Sequence, residues 1–153
     1  MNIAVFPGSF DPLTNGHVAL IEKSLPLFDK IVVAVGDNTQ KHNMFSAEQR
    51  VAWIRDTFAG EPRIEVDVYH ELTVDFCRRH GARYLLRGVR NNTDLSYEGE
   101  IARVNRLLAP EVETLFLLPD PTLEVVSSTM VRELAKFGKD ITPFVPPTVK
   151  ISK

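Results

Sequence analysis

Five short apolar runs, rich in β-branched residues, alternate with amphipathic helical patterns along almost the whole chain. Near-continuous apolar runs are typical of strands in a parallel sheet that is covered on both faces. Strands that alternate with helices build such a sheet from βαβ units. The sequence therefore predicts an α/β domain of Rossmann-like type with a doubly wound, five-stranded parallel sheet. The predicted strands are Ile3–Phe6, Lys30–Val35, Arg63–Val68, Arg83–Leu86 and Glu113–Leu118.

The strand order follows from the handedness of the connections. Right-handed crossovers that change direction after the third strand give the order 3-2-1-4-5, which we expect here. In such sheets, ligands bind outside the carboxyl ends of the strands, at the point where the order reverses.

Apolar stripes at helical spacing fill the segments between the runs, and such a stripe is the face that a helix turns toward the core. Ser46, followed by Gln49 three residues later, predicts a capping box at the start of the second helix. Two shorter helices are predicted over Thr73–His80 and Ser128–Phe137. The stripes are Val18, Ile21 and Leu25; Ala47, Val51, Ile54 and Phe58; and Tyr97, Ile101, Val104 and Leu108.

The 153 residues are the length of one ordinary domain, so we expect a single domain over 1–153, with 138–153 as an irregular or short helical C-terminal arm. The formal net charge of −2 favours neither nucleic acid nor an anionic membrane as a partner. The single cysteine, Cys77, indicates a reducing compartment. Since the N-terminal apolar run breaks at Pro7, before it reaches the length of a signal peptide, we expect a cytoplasmic protein.

Polar clusters follow four of the five predicted strands at their carboxyl ends. Because the carboxyl ends of parallel strands meet at one edge of the sheet, we expect these clusters to form a single ligand-binding rim. The clusters are Pro7–His17, Asn38–His42, Arg87–Asn91 and Pro119–Thr129.

The first cluster places His17 in the first turn of a helix, where free N–H groups and the helix dipole attract phosphate. There an imidazole can donate a hydrogen bond to a phosphate oxygen whose charge grows during a reaction. The alternative is that His17 only caps the helix, with Gly8 and Gly16 serving a turn.

The residues of the other clusters also allow two interpretations each, one as ligand-binding groups and one as ordinary surface or capping residues. Arg87 and Arg90 present the rigid donor forks that bind phosphate or carboxylate, but they are also consistent with solvated surface arginines. Glu98 is suited to accept hydrogen bonds from ribose hydroxyls, or else faces solvent. The hydroxyl run Ser127–Thr129 is an N-cap that can also hold a phosphate. Lys41 is either an exposed loop lysine or a point charge for an acceptor phosphate.

Several motifs are absent from the sequence. It contains no Gly-x-x-x-x-Gly-Lys-Ser/Thr string of a P-loop enzyme, and no Gly-x-Gly-x-x-Gly string follows the first strand. Its four histidines and one cysteine lack the spacing of zinc ligands, and we expect no metal site made of protein side chains.

The string from Gly8 to His17 resembles the signature of the nucleotidylyltransferase superfamily. Over about residues 3–144 the chain is similar to the bacterial phosphopantetheine adenylyltransferases. Besides the first string, the residues that carry the similarity are Met44-Phe45, Glu48-x-Arg50-Val51, Arg87-Gly88-x-Arg90, Asp94, Tyr97-Glu98 and Ser127-Ser128-Thr129-x-Val131-Arg132-Glu133.

This resemblance implies an adenylyltransferase that moves AMP from ATP to 4′-phosphopantetheine, giving dephospho-coenzyme A and pyrophosphate. It implies catalytic roles for His17, Lys41 and Arg87, and contacts to the acceptor from Ser9, Lys41, Thr73 and Arg87. Thr73 stands where the family usually has a larger apolar residue. The resemblance implies ATP contacts from Ser9, Phe10, His17, Gly88, Val89, Arg90, Glu98, Leu123, Glu124, Val125, Val126, Ser127, Ser128 and Thr129.

The family uses Mg²⁺, held mainly through the ATP phosphates, assembles as a homohexamer, and is inhibited by coenzyme A. The resemblance implies the same for this chain. Two other functions stay open from the residues alone. One is a different nucleotidyltransferase of the superfamily, for example one acting on nicotinamide mononucleotide. The other is a nucleotide-binding regulatory module without turnover.

Overall fold

A computed structural model describes residues 1–37 and 42–151. Strands and helices alternate in the predicted way, with single 3₁₀ turns at Leu25–Leu27, Pro121–Leu123 and Thr142–Phe144. The strands are β1 Ile3–Gly8, β2 Lys30–Gly36, β3 Ile64–Tyr69, β4 Tyr84–Gly88 and β5 Glu113–Leu117. The helices are α1 Asn15–Ser24, α2 Ala47–Thr57, α3 Thr73–Arg79, α4 Asn92–Leu108 and α5 Ser128–Lys136.

The five strands form one parallel sheet in the order β3-β2-β1-β4-β5, which confirms the predicted order. β1 lies at the centre, pairing with β2 from Ile3 opposite Lys30 and with β4 from Ala4 opposite Tyr84. The order therefore reverses between β1 and β4, and the loops after these two strands meet at one edge.

Alternate strand residues point to opposite faces of the sheet, and each face has its own core. On one face, Phe6, Val33 and Leu86 pack with α1, α2, α5 and the C-terminal arm. On the other, Val5 and Leu85 pack with α3 and the end of α4. Cys77, on α3, is fully buried in this second core, and burial raises the pKa of its thiol to about 12.

The C-terminal arm is packed against the domain. Ile141, Val145 and Val149 are buried in the first core. In its described part, 138–151, the arm contains one 3₁₀ turn, Thr142–Phe144. No helix in the described ranges is long and apolar enough to cross a membrane.

The fourth apolar stripe lies on a helix, α4, as predicted, but its apolar side is not covered within this chain. Tyr97, Ile101, Val104 and Leu108 do not face the core of this chain but stay between 39% and 65% exposed. The one buried residue of α4 is Glu98. Amphipathic spacing shows that a helix has an apolar face, but it does not show which partner covers that face.

One end of each of two further elements, α2 and β4, also differs from the prediction. At the start of α2, Gln49 donates its N–H to the Ser46 hydroxyl, but only this half of the predicted capping box forms. β4 extends two residues further than predicted, so Arg87 and Gly88 belong to the strand itself and not to the loop after it.

Gly88 lies so close to α1 that a side chain at this position would displace Leu20. A Cβ atom built on Gly88 meets Cδ1 of Leu20 at 2.7 Å. Leu20 is itself packed in the first core. We therefore expect Gly88→Ala to lower the free energy of unfolding by about 1–2 kcal/mol, measured by urea denaturation, because Leu20 must leave its rotamer or shift α1.

Leu20→Ala is the matched partner in a double-mutant cycle, since it removes the atom that is struck. The double variant should lose less free energy of unfolding than the sum of the losses in the two single variants. Gly99→Ala is the control, because its Cβ meets only the end of Arg103 at 3.5 Å and should stabilise α4 by up to about 1 kcal/mol. Strict additivity of Gly88→Ala and Leu20→Ala would show that the close approach has no energetic consequence.

Candidate active site

The loop after β1 belongs to the rim at the carboxyl ends of β1 and β4. Phe10 adopts a positive φ of 48°, which is uncommon for a residue with a side chain. Its ring is buried and contacts the His17 ring edge-on, with the ring centroids 4.9 Å apart. The Phe10 ring therefore packs against the imidazole of His17.

His17 is the third residue of α1 and closes a capping box with Thr14. The Thr14 N–H donates to Nδ1 of His17 at 3.0 Å, and the His17 N–H donates to the Thr14 hydroxyl at 3.4 Å. Because Nδ1 accepts this bond, the proton of the neutral ring lies on Nε2. The two readings of His17 are therefore compatible: one ring nitrogen caps the helix, and the other is a hydrogen-bond donor.

Burial, and then the positive charge of Arg87, lower the pKa of His17 from 6.5 to about 4. The imidazole is thus neutral at pH 7. It acts at this site as a dipolar donor and not as a cation.

Arg87, the penultimate residue of β4, is held in a fixed orientation. Its Nε and Nη2 donate to the two carboxylate oxygens of Glu98 at 3.0 and 2.7 Å, and its Nη1 donates to the carbonyl of Pro7 at 2.7 Å. The side chain of Glu98 is 11% exposed, so this residue does not face solvent. Glu98 uses its carboxylate to orient Arg87.

The start of α4 is organised by short-range contacts. Asn91 caps the helix by accepting the Asp94 N–H, and Asp94 in turn accepts the backbone N–H of Arg90 and pairs with its guanidinium. Arg90 therefore has a carboxylate partner at the surface of the site.

The N-terminus of α5 lies against the loop after β1. Ser127 caps the helix by accepting the Met130 N–H, and the Ser128 hydroxyl donates to the carbonyl of Pro12 at 2.7 Å. Arg132 donates to the Asp11 carbonyl at 2.8 Å and to the Thr129 hydroxyl. These bonds fasten α5 to the loop after β1.

Two cavities of about 310 Å³ each open at this rim. We call them the His17 cavity and the Thr73 cavity. The His17 cavity is lined by Phe6–Phe10, Thr14, Gly16, His17, Leu20, Arg87–Arg90, Pro119, Leu123, Val126–Thr129 and Arg132. The Thr73 cavity is lined by Pro7–Ser9, Gly36, Asn43, Tyr69, Thr73, Leu85, Arg87, Glu98, Ile101, Ala102, Asn105 and Thr114.

The two cavities share a wall, to which both Ser9 and Arg87 belong. A group bound at this wall is within reach of ligands in both cavities.

Most of the residues predicted to bind ATP line the His17 cavity together. Three of them do not: Glu98 lines the Thr73 cavity, and Glu124 and Val125 lie outside the lining of both. Val125 is 75% exposed. Thr73, predicted to contact the acceptor, lines the cavity named after it, where the Tyr69 hydroxyl is 3.3 Å from its own. Lys41 lies outside the described residues.

Two buried charged residues behind the rim received no role from the sequence. Arg50 and Asp11 are 1% and 3% exposed, and both bind the backbone of the rim. The sequence contains one indication that Arg50 is buried and paired. Arg50 falls in the apolar stripe of α2, three residues after Ala47 and four before Ile54, where a charge is unusual unless it is paired.

Comparison with known proteins identifies the family to which the chain belongs. The family model for cytidylyltransferase-like proteins matches residues 5–134. A phosphopantetheine adenylyltransferase from Levilactobacillus brevis is 50% identical over 149 residues, which are 97% of this chain and 92% of that protein. The chain belongs to the cytidylyltransferase-like family, among the phosphopantetheine adenylyltransferases.

Other members are similar over the same extent. The phosphopantetheine adenylyltransferase of Phocaeicola vulgatus is 46% identical over 151 residues, 99% of each chain. A crystal structure assigned to a nicotinate-nucleotide adenylyltransferase of Vibrio parahaemolyticus superposes with a TM-score of 0.72 at 20% identity, covering 97% of this chain and 89% of that one. This structural similarity shows that this chain and the Vibrio protein share a fold.

The lowered pKa of His17 makes stability depend on pH. Its folded-state pKa of about 4 lies below the unfolded value of 6.5, so the stability contribution is complete above pH 6.5 and is lost as the pH falls toward 4. Because part of the ring faces the His17 cavity, we expect a loss of about 1–3 kcal/mol in the free energy of unfolding across this window. Urea denaturation at several pH values, followed by Trp53 fluorescence, measures it.

His17→Gln is the matched variant, since Gln at this position preserves a capping box with Thr14 but does not titrate. The wild type should lose more stability than His17→Gln between pH 7 and pH 4. Parallel pH profiles for the two proteins would contradict the assignment of this loss to His17.

Proposed function

We propose that this chain transfers the adenylyl group of ATP to 4′-phosphopantetheine, giving dephospho-coenzyme A and pyrophosphate. The observation that carries the proposal is the pair of cavities that share Ser9 and Arg87. Relatives that are 46–50% identical over nearly the full chain, named for this acceptor and for adenylyl transfer, support it.

ATP would occupy the His17 cavity. The N–H groups and hydroxyls at the start of α5, together with Arg90 and Arg132, suit a triphosphate that carries several negative charges. The acceptor would occupy the Thr73 cavity, in which apolar walls from Leu85 and Ile101 suit an uncharged arm. Its phosphate would lie at the shared wall, beside Arg87.

The reaction is a displacement at the α-phosphorus. An oxygen of the acceptor phosphate forms a bond to this phosphorus, the bond from it to the bridging oxygen of the β-phosphate breaks, and pyrophosphate leaves. A phosphate monoester is already a nucleophile at neutral pH, so the site needs no general base. Catalysis rests on positioning and on stabilisation of the developing charge.

His17 would donate its Nε2–H to an oxygen of the α-phosphate. The bond from Thr14 to Nδ1 fixes the tautomer, and the ring contact with Phe10 fixes the direction. Arg87, oriented by Glu98, would hold the acceptor phosphate, and Lys41 would add a second positive charge there. The donors are thus arranged before the substrates bind, which is what makes electrostatic stabilisation effective.

Mg²⁺ would be bound through the ATP phosphates. The described lining of the His17 cavity contains hydroxyls and cations but no carboxylate, and Mg²⁺ commonly keeps its waters and binds to substrate phosphates. When bound, the ion neutralises part of the phosphate charge. Coenzyme A contains the phosphopantetheine unit, so the Thr73 cavity also suits it as a feedback inhibitor. The single cysteine of the chain supports a cytoplasmic location.

The test is release of pyrophosphate from MgATP, with 4′-phosphopantetheine and nicotinamide mononucleotide offered separately. We expect release with 4′-phosphopantetheine only. Release only with the mononucleotide would indicate another nucleotidyltransferase of the family. No release with either, from folded protein that binds ATP, would favour the regulatory-module alternative.

The His17 variants connect the assay to the site. His17→Ala should lower kcat by about 10²–10³, which is the usual effect of losing one donor to a developing oxyanion. His17→Gln is the control for effects on stability, because Gln at this position preserves the capping box of α1. Nearly normal turnover of His17→Ala would overturn the proposed role of the imidazole.

We further propose that the chain assembles as a homohexamer. The apolar side of α4, formed by Tyr97, Ile101, Val104 and Leu108, is uncovered within one chain, and Leu107 nearby is 83% exposed. Contiguous exposed apolar surface of this kind is typical of a protein–protein interface. Because α4 also carries Glu98, Ile101 and Asn105 of the Thr73 cavity, assembly through this helix would affect the acceptor site.

Val104→Asp places a charge in the middle of this surface and should shift the protein to smaller assemblies, because the charge would have to be buried without a partner. Sedimentation equilibrium measures the mass. Arg106→Gln, on the opposite side of α4, is the control and should leave the mass unchanged. A hexamer that persists in Val104→Asp would place the subunit contacts elsewhere.

A further inference from the structure

Arg50 is a buried cation that lines neither cavity, yet it binds the backbone of the residues that do. Its side chain is 1% exposed. Nη1 donates to the Ser9 carbonyl at 2.7 Å and to the Gly36 carbonyl at 3.0 Å, and Nε donates to the Phe45 carbonyl at 3.0 Å. One side chain therefore connects the loop after β1, the end of β2 and the start of α2.

Asp11 makes the complementary contacts. Its two carboxylate oxygens accept the N–H groups of Met44 and Phe45 at 2.8 and 2.9 Å. Phe45 is thus bound on both sides, with its carbonyl accepting from Arg50 and its N–H donating to Asp11.

The residues held in this way flank the segment 38–41. Gly36 and Asp37 precede it, with the Asp37 carboxylate 3.9 Å from Nη2 of Arg50. Met44 and Phe45 follow it. Ser9, Gly36 and Asn43 also belong to the lining of the Thr73 cavity. The relative position of Ser9 and of both flanks of 38–41 is therefore set from behind the cavity wall.

We propose that Arg50 is a positioning residue for acceptor binding, which it serves by holding Ser9 and the two flanks of segment 38–41 in one arrangement. This inference rests on the proposed function, in which Ser9 and Lys41 contact the acceptor phosphate. Arg50 itself touches neither substrate. Ser9 lines both cavities, but Gly36 and Asn43 line only the Thr73 cavity. Among the described residues, Arg50 makes no hydrogen bond to those of the His17 cavity on β4 or at the start of α5, so its effect should fall on the acceptor more than on ATP.

The chemistry of the side chain explains why an arginine stands here. The guanidinium presents donors in several fixed directions and stays charged when buried. Lysine has one nitrogen and cannot reach Ser9, Gly36 and Phe45 from opposite sides in the same way. In Arg50→Lys, at least one buried carbonyl would lose its donor and the cation would be kept.

The experiment compares Arg50→Lys with Arg55→Lys, a control on the same helix whose Nη2 donates to the Val66 carbonyl at the exposed surface. In Arg50→Lys, kcat/KM for 4′-phosphopantetheine should fall by about 10- to 100-fold, since misplacement of reacting groups by about 1 Å has effects of this size. The KM for MgATP should change by less than about 3-fold. Arg55→Lys should match the wild type.

Hydrogen exchange of the Met44 and Phe45 amides gives a readout that does not depend on activity. It should be faster in Arg50→Lys, while amides of β1 and β4 exchange as in the wild type. A merely structural role would instead lower the melting temperature, speed exchange in all elements alike and leave KM unchanged. If Arg50→Lys does not fold, Asp11→Asn replaces it, since it removes one of the two bonds to residues 44–45.

The outcomes separate the two proposals. Folded Arg50→Lys with kcat/KM for the acceptor within about 2-fold of the wild type would overturn the positioning role. If the wild type releases no pyrophosphate with 4′-phosphopantetheine, the proposed function fails. The exchange data then decide alone whether Arg50 holds this arrangement.

Discussion

β1 pairs in parallel with a strand on each side, and all parts of the site are placed relative to its carboxyl end. Because β2 and β4 run in the same direction as β1, the loops that leave them emerge at the same edge. Several carbonyl groups at the ends of these strands and in the loops after them are bound by side chains. Arg87 binds the carbonyl of Pro7, and Arg50 binds those of Ser9 and Gly36. The backbone of the rim is therefore held in place by hydrogen bonds from arginine side chains.

Several polar groups at this rim serve stability and chemistry with different atoms. His17 caps α1 through Nδ1 and leaves Nε2 to donate into the cavity. Ser128 fastens α5 to Pro12 while its helix terminus faces the same space. Glu98 orients the guanidinium of Arg87. A nucleotidyltransferase that needs no general base depends on such preorganisation, because fixed donors do not have to reorganise when charge develops.

What the sequence did not predict depends on how separate segments pack together. The stripe of α4 has the spacing of a core-facing helix, but its apolar side is uncovered in one chain. The sequence did not indicate that Glu98 pairs with Arg87, eleven residues earlier, and is mostly buried. The role of Arg50 was missed because its three carbonyl partners lie in three different segments. The spacing of residues within one helix contains no information on such partners.

By itself, the sequence determined the alternation of strands and helices, the strand order, the edge at which the polar clusters meet, and the family. These depend on local periodicity, on the handedness of crossovers and on a contiguous motif from Gly8 to His17, all of which a linear chain displays. Only the tertiary structure decided the division of the rim into two cavities with Ser9 and Arg87 between them, the tautomer of His17, and the buried contacts of Arg50 and Asp11. The physical reason is that hydrogen-bond partners and burial are set by packing between segments far apart in the chain, whereas periodicity describes each segment separately.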